Sequence, residues 1–461
     1  MADEQYERFA GRGLYHSVIS KPEPCDDLPP GVERELQVRA TGLRHTLLSF
    51  AILIFKSASG PSGYRWCCRF LEFCMLLLPI LLLSAAGFTV LTTEFIIVGL
   101  LPAIARDLQV SIPQAGLLVT LFAFTVAAFG PLLTAYFARF ERRKLFISVL
   151  IMFGLANTLA ALAPNIWVMA FARLIPALGL PVFWALASET AVDIVGPDHA
   201  GRAIAKIGFG IVCATVFGIP VGTLISDAFG WRSAFAILAF IAFAKALLLF
   251  IYLPKTSLHQ HQVSFRSQFK ILRSPLMVGH VLLSIVVFSG MFTAYTYLAD
   301  ILERLAGFDG SVVGWCLMGF GAVGLIGNSL GGRAVDRHPL MASMMFCAFM
   351  IAGLVALVPN IHSPFGLAAA MGIWGITQAA LFLVSHVRLM KAAPEAPAFA
   401  ASLNIAGANL GIGLGAMVGG RVIDSVGLQG LGFAAAAFIL ASILLAIALM
   451  TFKPRDIATA S

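Results

Sequence analysis

Apolar residues dominate the chain from about residue 74 onward, in runs of about twenty that short polar breaks separate. A helix needs about 20 residues to cross the roughly 30 Å hydrocarbon core of a bilayer, and each run reaches that length. The pattern predicts an all-α membrane protein with about twelve transmembrane helices. They are expected near 74–103, 114–136, 144–163, 166–190, 203–226, 234–253, 276–302, 311–333, 340–358, 363–390, 398–423 and 430–452.

The composition agrees with this pattern. Of 461 residues, 59% are hydrophobic and only 12% are charged, and the mean hydropathy is +0.91. Soluble domains carry about 25% charged residues, so a lipid bilayer is the expected partner. The net charge of +8 does not indicate nucleic-acid binding, because no basic face is interleaved with aromatic residues.

The first 72 residues differ from the rest. They are polar and rich in proline, and they lack helical or strand periodicity, which predicts a poorly ordered extension on the cytoplasmic side. Within it, the apolar segment from Thr46 to Phe55 is too short to span a bilayer and is interpreted as an interfacial helix. We hypothesise that transport does not require this extension.

The longest polar break after residue 73 covers 254–275 and divides the membrane domain into two sets of six runs, 73–253 and 276–454, followed by a tail at 455–461. Gly222, Asp227 and Gly230 recur as Gly419, Asp424 and Gly427, each 197 positions later. The chain is therefore predicted to consist of two similar six-helix halves. Parallel halves of this kind place a substrate site between them near the midplane.

Basic residues predict the orientation. If the N-terminal arm is cytoplasmic, the cytoplasmic breaks after residue 100 hold sixteen Lys and Arg residues, Arg388 among them, and the opposite breaks hold Arg106, Arg232 and Arg304. This asymmetry places both termini in the cytoplasm under the positive-inside rule.

Four stretches carry a family resemblance. They are Thr92-Thr-Glu-Phe95 with Gly99-Leu-Leu-Pro102, a basic loop after the second helix, Gly218-Ile-Pro-Val-Gly222 on the fifth helix, and Asn404-Ile-Ala-Gly-Ala-Asn-Leu-Gly-Ile-Gly413 on the eleventh. Together they resemble the major facilitator superfamily, and within it the drug:proton antiporter group that includes bacterial sugar and arabinose efflux permease-like proteins. The resemblance covers about residues 73–454. It implies two six-helix halves in the bacterial cytoplasmic (inner) membrane.

The basic loop is Thr134-Ala-Tyr-Phe-Ala-Arg-Phe-Glu-Arg-Arg-Lys144, in which Arg139, Arg142 and Arg143 match the family pattern while Ala138 replaces its aspartate. The second half keeps Gly332-Arg-Ala-Val-Asp-Arg337, including Asp336 and Arg337. The resemblance implies that these loops close the cytoplasmic face through charge pairing, with Glu141 as a substitute for the missing aspartate. The alternative interpretation is a basic loop that only sets topology.

The fifth helix carries Gly218, Pro220 and Gly222. These positions resemble the motif of exporters in the superfamily, which favours efflux over uptake. In physical terms, the glycines permit close helix packing and the proline permits a kink, so plain packing is the alternative.

Three ionisable residues lie well inside apolar runs: Glu94, Arg173 and Lys245. Such groups usually face a cavity and mark an ion or substrate path. Desolvation favours the protonated form of a carboxyl group, so Glu94 is the candidate proton carrier, and Arg173 resembles the family arginine implicated in proton transfer. The alternatives are a capped polar residue for Glu94, a tie to backbone carbonyls for Arg173, and a side chain that snorkels to the nearer interface for Lys245.

Helices one, four, seven and ten usually line the cavity in this family. The candidate substrate contacts are Trp184, Tyr295, Tyr297, Trp374, Gln378, Asn404 and Asn409. Aromatic faces with a few amides suit a drug-like, sugar-like or nucleoside-like molecule, and packing is the alternative role for each.

Other function classes lack their sequence signals. The chain contains no His-Glu-x-x-His, Gly-x-Ser-x-Gly or phosphate-binding loop motif and no cysteine and histidine spacing typical of a metal site, so we expect no enzyme activity, cofactor or metal. The sequence predicts a monomeric secondary transporter that exports a small molecule by proton antiport with alternating access. The runner-up is uptake by proton symport.

Overall fold

The computed structural model describes residues 78–137, 139–195, 200–253, 274–394 and 397–451. Contacts divide the chain into two units, Met1–Pro79 and Ile80–Ser461, and all contacts given below lie within the second. The predicted extension at 1–72 and tail at 455–461, together with most of the predicted linker, lie outside the described residues.

The described residues form twelve helices long and apolar enough to cross a membrane, and they contain no strand, which confirms the predicted fold class. Six precede the linker, and α5 and α7 each consist of consecutive segments. The first six are α1 (Leu78–Asp107), α2 (Ile112–Phe137), α3 (Arg142–Ala161), α4 (Ile166–Val195), α5 (Ala200–Cys213, the π-helical turn Ala214–Gly218 and Ile219–Phe229) and α6 (Trp231–Tyr252). The others are α7 (Pro275–Tyr295 and Leu298–Arg304), α8 (Gly310–Arg337), α9 (Pro339–Leu357), α10 (Pro364–Ala392), α11 (Pro397–Ser425) and α12 (Leu431–Thr451).

Two helix pairs make the most extensive contacts between the N-terminal half, α1–α6, and the C-terminal half, α7–α12. They are α2 with α11 and α5 with α8. In the repeat, α2 corresponds to α8 and α5 corresponds to α11. The two pairs are therefore equivalent contacts, as expected for two repeats related by one axis.

Repeated glycines start the last helix of each half. Gly230 and Gly427, the pair related by 197 positions, have φ of 82° and 90°. A residue with a side chain rarely adopts this conformation, so both turns require glycine. The repeat seen in the sequence therefore reflects a shared backbone geometry.

We name the two ends of the bundle by their charge. The basic face carries the connections α2–α3, α4–α5, α8–α9 and α10–α11, with Arg139 and Arg333 among its residues, and the opposite face carries α1–α2, α3–α4, α5–α6, α7–α8, α9–α10 and α11–α12.

Candidate transport site between the two halves

Arg173 on α4 is hydrogen-bonded to the backbone of α1. Its guanidinium is 1% exposed and donates hydrogen bonds to the carbonyl oxygens of Thr93 and Glu94, the second at 2.6 Å. The ring of Phe122 on α2 lies 4.5 Å from the guanidinium carbon. This geometry matches the alternative interpretation of Arg173 as a tie to backbone carbonyls, and its role in proton transfer stays a prediction.

Glu94 lies on the same turn of α1 and is 8% exposed. Among the described residues no hydrogen bond or ion pair reaches its carboxylate, because Arg173 bonds the backbone instead. On the turn's other side, Asn157 of α3 donates from Nδ2 to Thr93 Oγ1 at 3.1 Å. The turn that carries Glu94 is therefore held by α4 through its backbone and by α3 through the Thr93 side chain, while the Glu94 carboxyl group has no hydrogen bond among the described residues.

Lys245 on α6 also binds α1, which does not match the alternative interpretation of a side chain that snorkels to the interface. Its ammonium group donates to the carbonyl oxygen of Ala85 and to Thr89 Oγ1, the latter at 2.6 Å, and lies over the ring of Phe88. These partners satisfy the charge within the bundle, so the side chain does not need to reach water.

Three of the predicted substrate contacts come together in the C-terminal half. Tyr295 stacks on Phe320 at 5.5 Å between ring centroids, and both rings meet Trp374 edge to face. Trp374 donates from Nε1 to Gln378 Oε1 at 2.8 Å. We call these three rings and the amide the aromatic platform. Trp374 and Gln378 are 0% and 5% exposed and only Tyr295 is partly exposed, so the packing interpretation fits this conformation and the role of the platform as a substrate contact stays a prediction.

A chain of rings connects this platform to Glu94. Phe95, the next residue on α1, stacks on Phe292 of α7 at 5.7 Å, and Phe292 meets Tyr295 at 5.5 Å. The neighbourhood of the carboxyl group and the platform are therefore continuous across the boundary between the halves.

The structure places the remaining predicted contacts elsewhere. Trp184 packs edge to face on Phe183 and close to Gly87, inside the N-terminal half. Asn404 accepts from Ser284 Oγ at 2.9 Å, and Asn409 donates to the carbonyl of Ile405 in its own helix.

Tyr297 lies at the boundary between the halves instead of on the platform. The helical segments of α7 end at Tyr295 and restart at Leu298, and Tyr297 in the gap is 1% exposed. Its hydroxyl donates to the carbonyl of Ala416 on α11 at 2.7 Å, and the ring packs against Gly116 of α2.

Asp300, just beyond this break, was not among the site residues predicted from the sequence. It is fully buried, neither carboxylate oxygen has a hydrogen-bond partner among the described residues, and Arg304 Nη1 lies 3.6 Å from Oδ2. The signal was present, since Asp300 is an acid inside an apolar run. Its position near the end of that run made it look like an interfacial residue.

Arg388 was counted with the cytoplasmic breaks, and the structure corrects this. It lies within α10, is 1% exposed, and donates to the carbonyl oxygen of His280 and to Ser284 Oγ, at 3.2 and 2.9 Å. It also contacts His280 Nδ1 at 2.9 Å, and because a guanidinium only donates, that nitrogen accepts. Arg388 therefore ties α10 to α7, as Arg173 ties α4 to α1.

Contacts between the halves lie toward the opposite face. Arg106 at the end of α1 pairs with Glu303 of α7, and Thr120 Oγ1 of α2 donates to the carbonyl of Gly413 on α11 at 3.2 Å. Along α8, Gly314 packs on Leu224 of α5.

Toward the basic face the packing of α8 changes. Gly321 packs on Thr215 in the π-helical turn of α5, whereas Gly327 and Gly331 pack on Ile376 and Ala380 of α10. These glycines mark two sides of α8, one facing α5 and one facing α10. Along α5, the π-helical turn and Ile219–Phe229, the segments nearer the opposite face, pack on α8.

The predicted gating residues of the N-terminal half bind within that half. Arg139 lies over the Tyr136 ring, Arg142 pairs with Glu189 at 2.7 Å, and Arg143 donates to the carbonyl of Phe250. Glu141, the predicted substitute for the missing aspartate, pairs with Lys144 in the same turn at 3.1 Å. Ala138 itself lies outside the described residues.

In the C-terminal half, Asp336 lies 3.4 Å from Lys391 of α10. Arg337, the neighbouring gating residue, has no partner among the described residues. The described ion pairs at the basic face therefore do not join the two halves, and the gating role of these residues stays a prediction.

The α5 glycines permit close packing on α1. A Cβ at Gly218 would overlap Thr92 Oγ1, and one at Gly222 would come within 2.6 Å of Ile96 Cδ1. Pro220 follows the π-helical turn within a continuous helix, where its missing N–H leaves a carbonyl of the preceding turn without its helical partner. The packing interpretation is supported, and the exporter meaning remains untested.

Among the described residues, no group of three or more His, Cys, Asp and Glu residues could hold a metal ion.

Sequence comparisons identify relatives over most of the chain. The model for the Major Facilitator Superfamily matches residues 83–398 and 302–460. The uncharacterized MFS-type transporter YtbD of Bacillus subtilis is 33% identical over 360 residues, which is 76% of this chain and 89% of that protein. The inner membrane transport protein YdhP of Escherichia coli K12 is 32% identical, over 77% of this chain and 90% of YdhP.

A probable sugar efflux transporter of Pasteurella multocida is 31% identical, over 77% of this chain and 88% of that protein. Among solved structures, the nucleoside transporter NupG has a TM-score of 0.66 at 16% identity, covering 82% of this chain and all of NupG. A D-xylose-proton symporter has a TM-score of 0.65 at 16% identity, over 83% of this chain and 98% of the symporter. At these identities the structural likeness shows the fold alone.

Proposed function

Because the chain belongs to the major facilitator superfamily, and is therefore a multi-pass membrane transporter of small molecules, we propose that it exports its substrate by proton antiport with alternating access. The proposed location is the bacterial cytoplasmic (inner) membrane, with the basic face and both termini in the cytoplasm. The proton gradient drives transport without a cofactor, and the transporter works as a monomer.

One observation carries the proposal. Glu94 is a buried carboxyl group whose backbone is held by Arg173 while its carboxylate has no hydrogen bond among the described residues. A carboxyl group in this setting can bind and release a proton as its access to water changes. Rocking of the halves, which separates their contacts near the opposite face and closes the basic face, changes that access.

The ring chain from Phe95 to Trp374 is the proposed substrate platform. Its aromatic faces and the Gln378 amide favour a sugar-like, nucleoside-like or planar drug-like molecule. A substrate resting there lies next to the turn that carries Glu94, so proton binding and substrate binding affect each other.

Export is favoured by the fifth-helix glycines and by a relative named as a probable sugar efflux transporter. Uptake by symport is the alternative, because direction depends on coupling and not on fold.

Reconstituted full-length protein tests the proposal. Proteoliposomes with an imposed pH gradient are given labelled sugars, nucleosides and planar cationic drugs in turn. We expect substrate to accumulate against the direction of proton flow, and a protonophore to abolish accumulation. Movement of substrate with the protons would identify a symporter, and exchange that ignores the gradient would reject proton coupling.

A further inference from the structure

A groove of about 820 Å³ lies between α8, α9 and α10 in the C-terminal half. It extends from the basic face, where α8 ends and α9 begins, to the middle of α10. Apolar residues form most of its wall, and several are exposed. The wall includes Leu330 and Ala334 of α8, Met345 and Phe349 of α9, and Ile373 and Thr377 of α10.

The groove is separate from the proposed substrate path. On α8, Gly314 and Gly321 face α5, and Gly327 and Gly331 face α10. Each residue turns the helix by about 100°, so Leu330 and Ala334 lie about 140–180° around the helix from Gly314 and Gly321, and Ala334 shares the α10-facing side with Gly327. The groove therefore opens away from the contact between the halves, toward the hydrocarbon that surrounds the bundle.

Two arginines stand at the mouth of the groove. Arg333 and Arg337 are exposed, line the groove, and have no partner among the described residues. Asp336 between them lies near Lys391, at 3.4 Å. The mouth thus presents two unpaired guanidinium groups at the level where an apolar wall meets the basic face.

The corresponding loop of the N-terminal half differs. Arg139 lies over an aromatic ring, Arg142 pairs with Glu189, and Arg143 binds a backbone carbonyl. Each of these basic side chains has a protein partner, so the unpaired pair is a property of the C-terminal half and not of basic loops in general.

We propose that this groove binds an anionic phospholipid, with one acyl chain along the α8–α9–α10 wall and the phosphate between Arg333 and Arg337. Guanidinium groups bind phosphate oxygens in pairs of charge-assisted hydrogen bonds. The acyl chain makes apolar contacts with the groove wall, and the two arginines select for a negatively charged headgroup, as in basic pockets between membrane helices. The site lies on the loop predicted to gate the basic face, so a bound lipid would affect gating directly.

Native mass spectrometry of the full-length protein in detergent tests the site, with phosphatidylglycerol and phosphatidylcholine added in equal amounts. We expect wild type to retain one phosphatidylglycerol in preference to phosphatidylcholine. Each arginine near an anionic surface contributes about 1 kcal/mol, or about fivefold in affinity. The R333Q/R337Q variant is therefore expected to bind phosphatidylglycerol about thirtyfold more weakly.

Two further variants separate charge from shape. R139Q/K144Q removes two positive charges from the same face in the N-terminal half and should keep wild-type retention. Ala334→Phe fills the groove with the arginines intact and should lose the retained lipid.

Equal retention of both lipids by wild type, or equal loss in R333Q/R337Q and R139Q/K144Q, would overturn the proposal. Displacement of the lipid by millimolar inorganic phosphate would show that the arginines bind free phosphate, which also overturns the lipid assignment. If Ala334→Phe fails to fold, the comparison of the two charge variants decides.

Discussion

Arg173 donates a hydrogen bond to the backbone oxygen of Glu94, at 2.6 Å, and not to its carboxylate. A residue that looks like the natural counter-ion of a membrane acid therefore stabilises the helix that carries the acid. Protonation of Glu94 then leaves the bonds of Arg173 to α1 in place.

Replacing Glu94 with Gln should abolish proton-driven transport without unfolding the protein, because the amide has nearly the same shape and cannot exchange a proton. The measurement is substrate accumulation in proteoliposomes under a pH gradient. Counterflow, in which labelled and unlabelled substrate exchange without net proton movement, should persist in this variant and serves as its internal control. Undiminished coupling would reject Glu94 as the proton site.

A covalent link between residues 106 and 303 should stop transport, because Arg106 and Glu303 join the halves at the opposite face. The R106C/E303C variant is cross-linked with a short bifunctional reagent, and transport is measured before and after reduction of the link. The matched control is D107C/R232C, whose native residues form an ion pair inside the N-terminal half. Its link should leave transport intact, and equal inhibition of both variants would contradict the idea that the Arg106–Glu303 contact must open during transport.

Gly218→Ala should destabilise the protein by about 1–3 kcal/mol, the usual cost of forcing an extra methyl group into a packed contact. The added carbon would overlap Thr92 Oγ1 on α1. Gly208→Ala on the same helix is the control, because its added carbon meets nothing within 4 Å. That control should be neutral or stabilising by up to about 1 kcal/mol through helix propensity. Thermal unfolding in detergent compares the two.

Asp300→Asn should change the dependence of transport on pH, because Asp300 is a second buried carboxyl group beside the contact between the halves. Glu303→Gln removes a carboxylate from the same helical segment where it is paired with Arg106, and it should leave the pH profile unchanged. Thermal unfolding of both variants shows that folding is intact. Identical pH profiles for wild type and Asp300→Asn would exclude Asp300 from the proton path.

The sequence predicted the helices and Glu94 for simple physical reasons. A span must be about 20 apolar residues long, and an acid within such a span stands out. The same reasoning offered backbone carbonyls as an alternative partner for Arg173 but could not identify which ones, because a carbonyl on another helix has no sequence signature. It also could not choose between snorkelling and internal bonding for Lys245, since both use the same long side chain.

Asp300 and Arg388 show where such reasoning fails. Both lie near the end of an apolar run, where a charged residue normally meets water. The break of α7 around Tyr297 and the depth of α10 in the bundle bury them instead. The π-helical turn at Ala214–Gly218 was equally invisible, because one extra residue per turn does not alter the apolar pattern.

Side chains from three other helices hold α1 in place, and in the proposed mechanism this limits proton leak. Arg173, Lys245 and Asn157 bind α1 from three other helices of its half. Glu94 is therefore carried by one rigid body, while Tyr295 and Trp374 belong to the other. In the proposed mechanism a proton on Glu94 changes sides only when the whole N-terminal half moves. Proton leak without substrate would then depend on the free energy of moving the empty half, and not on the mobility of α1 alone.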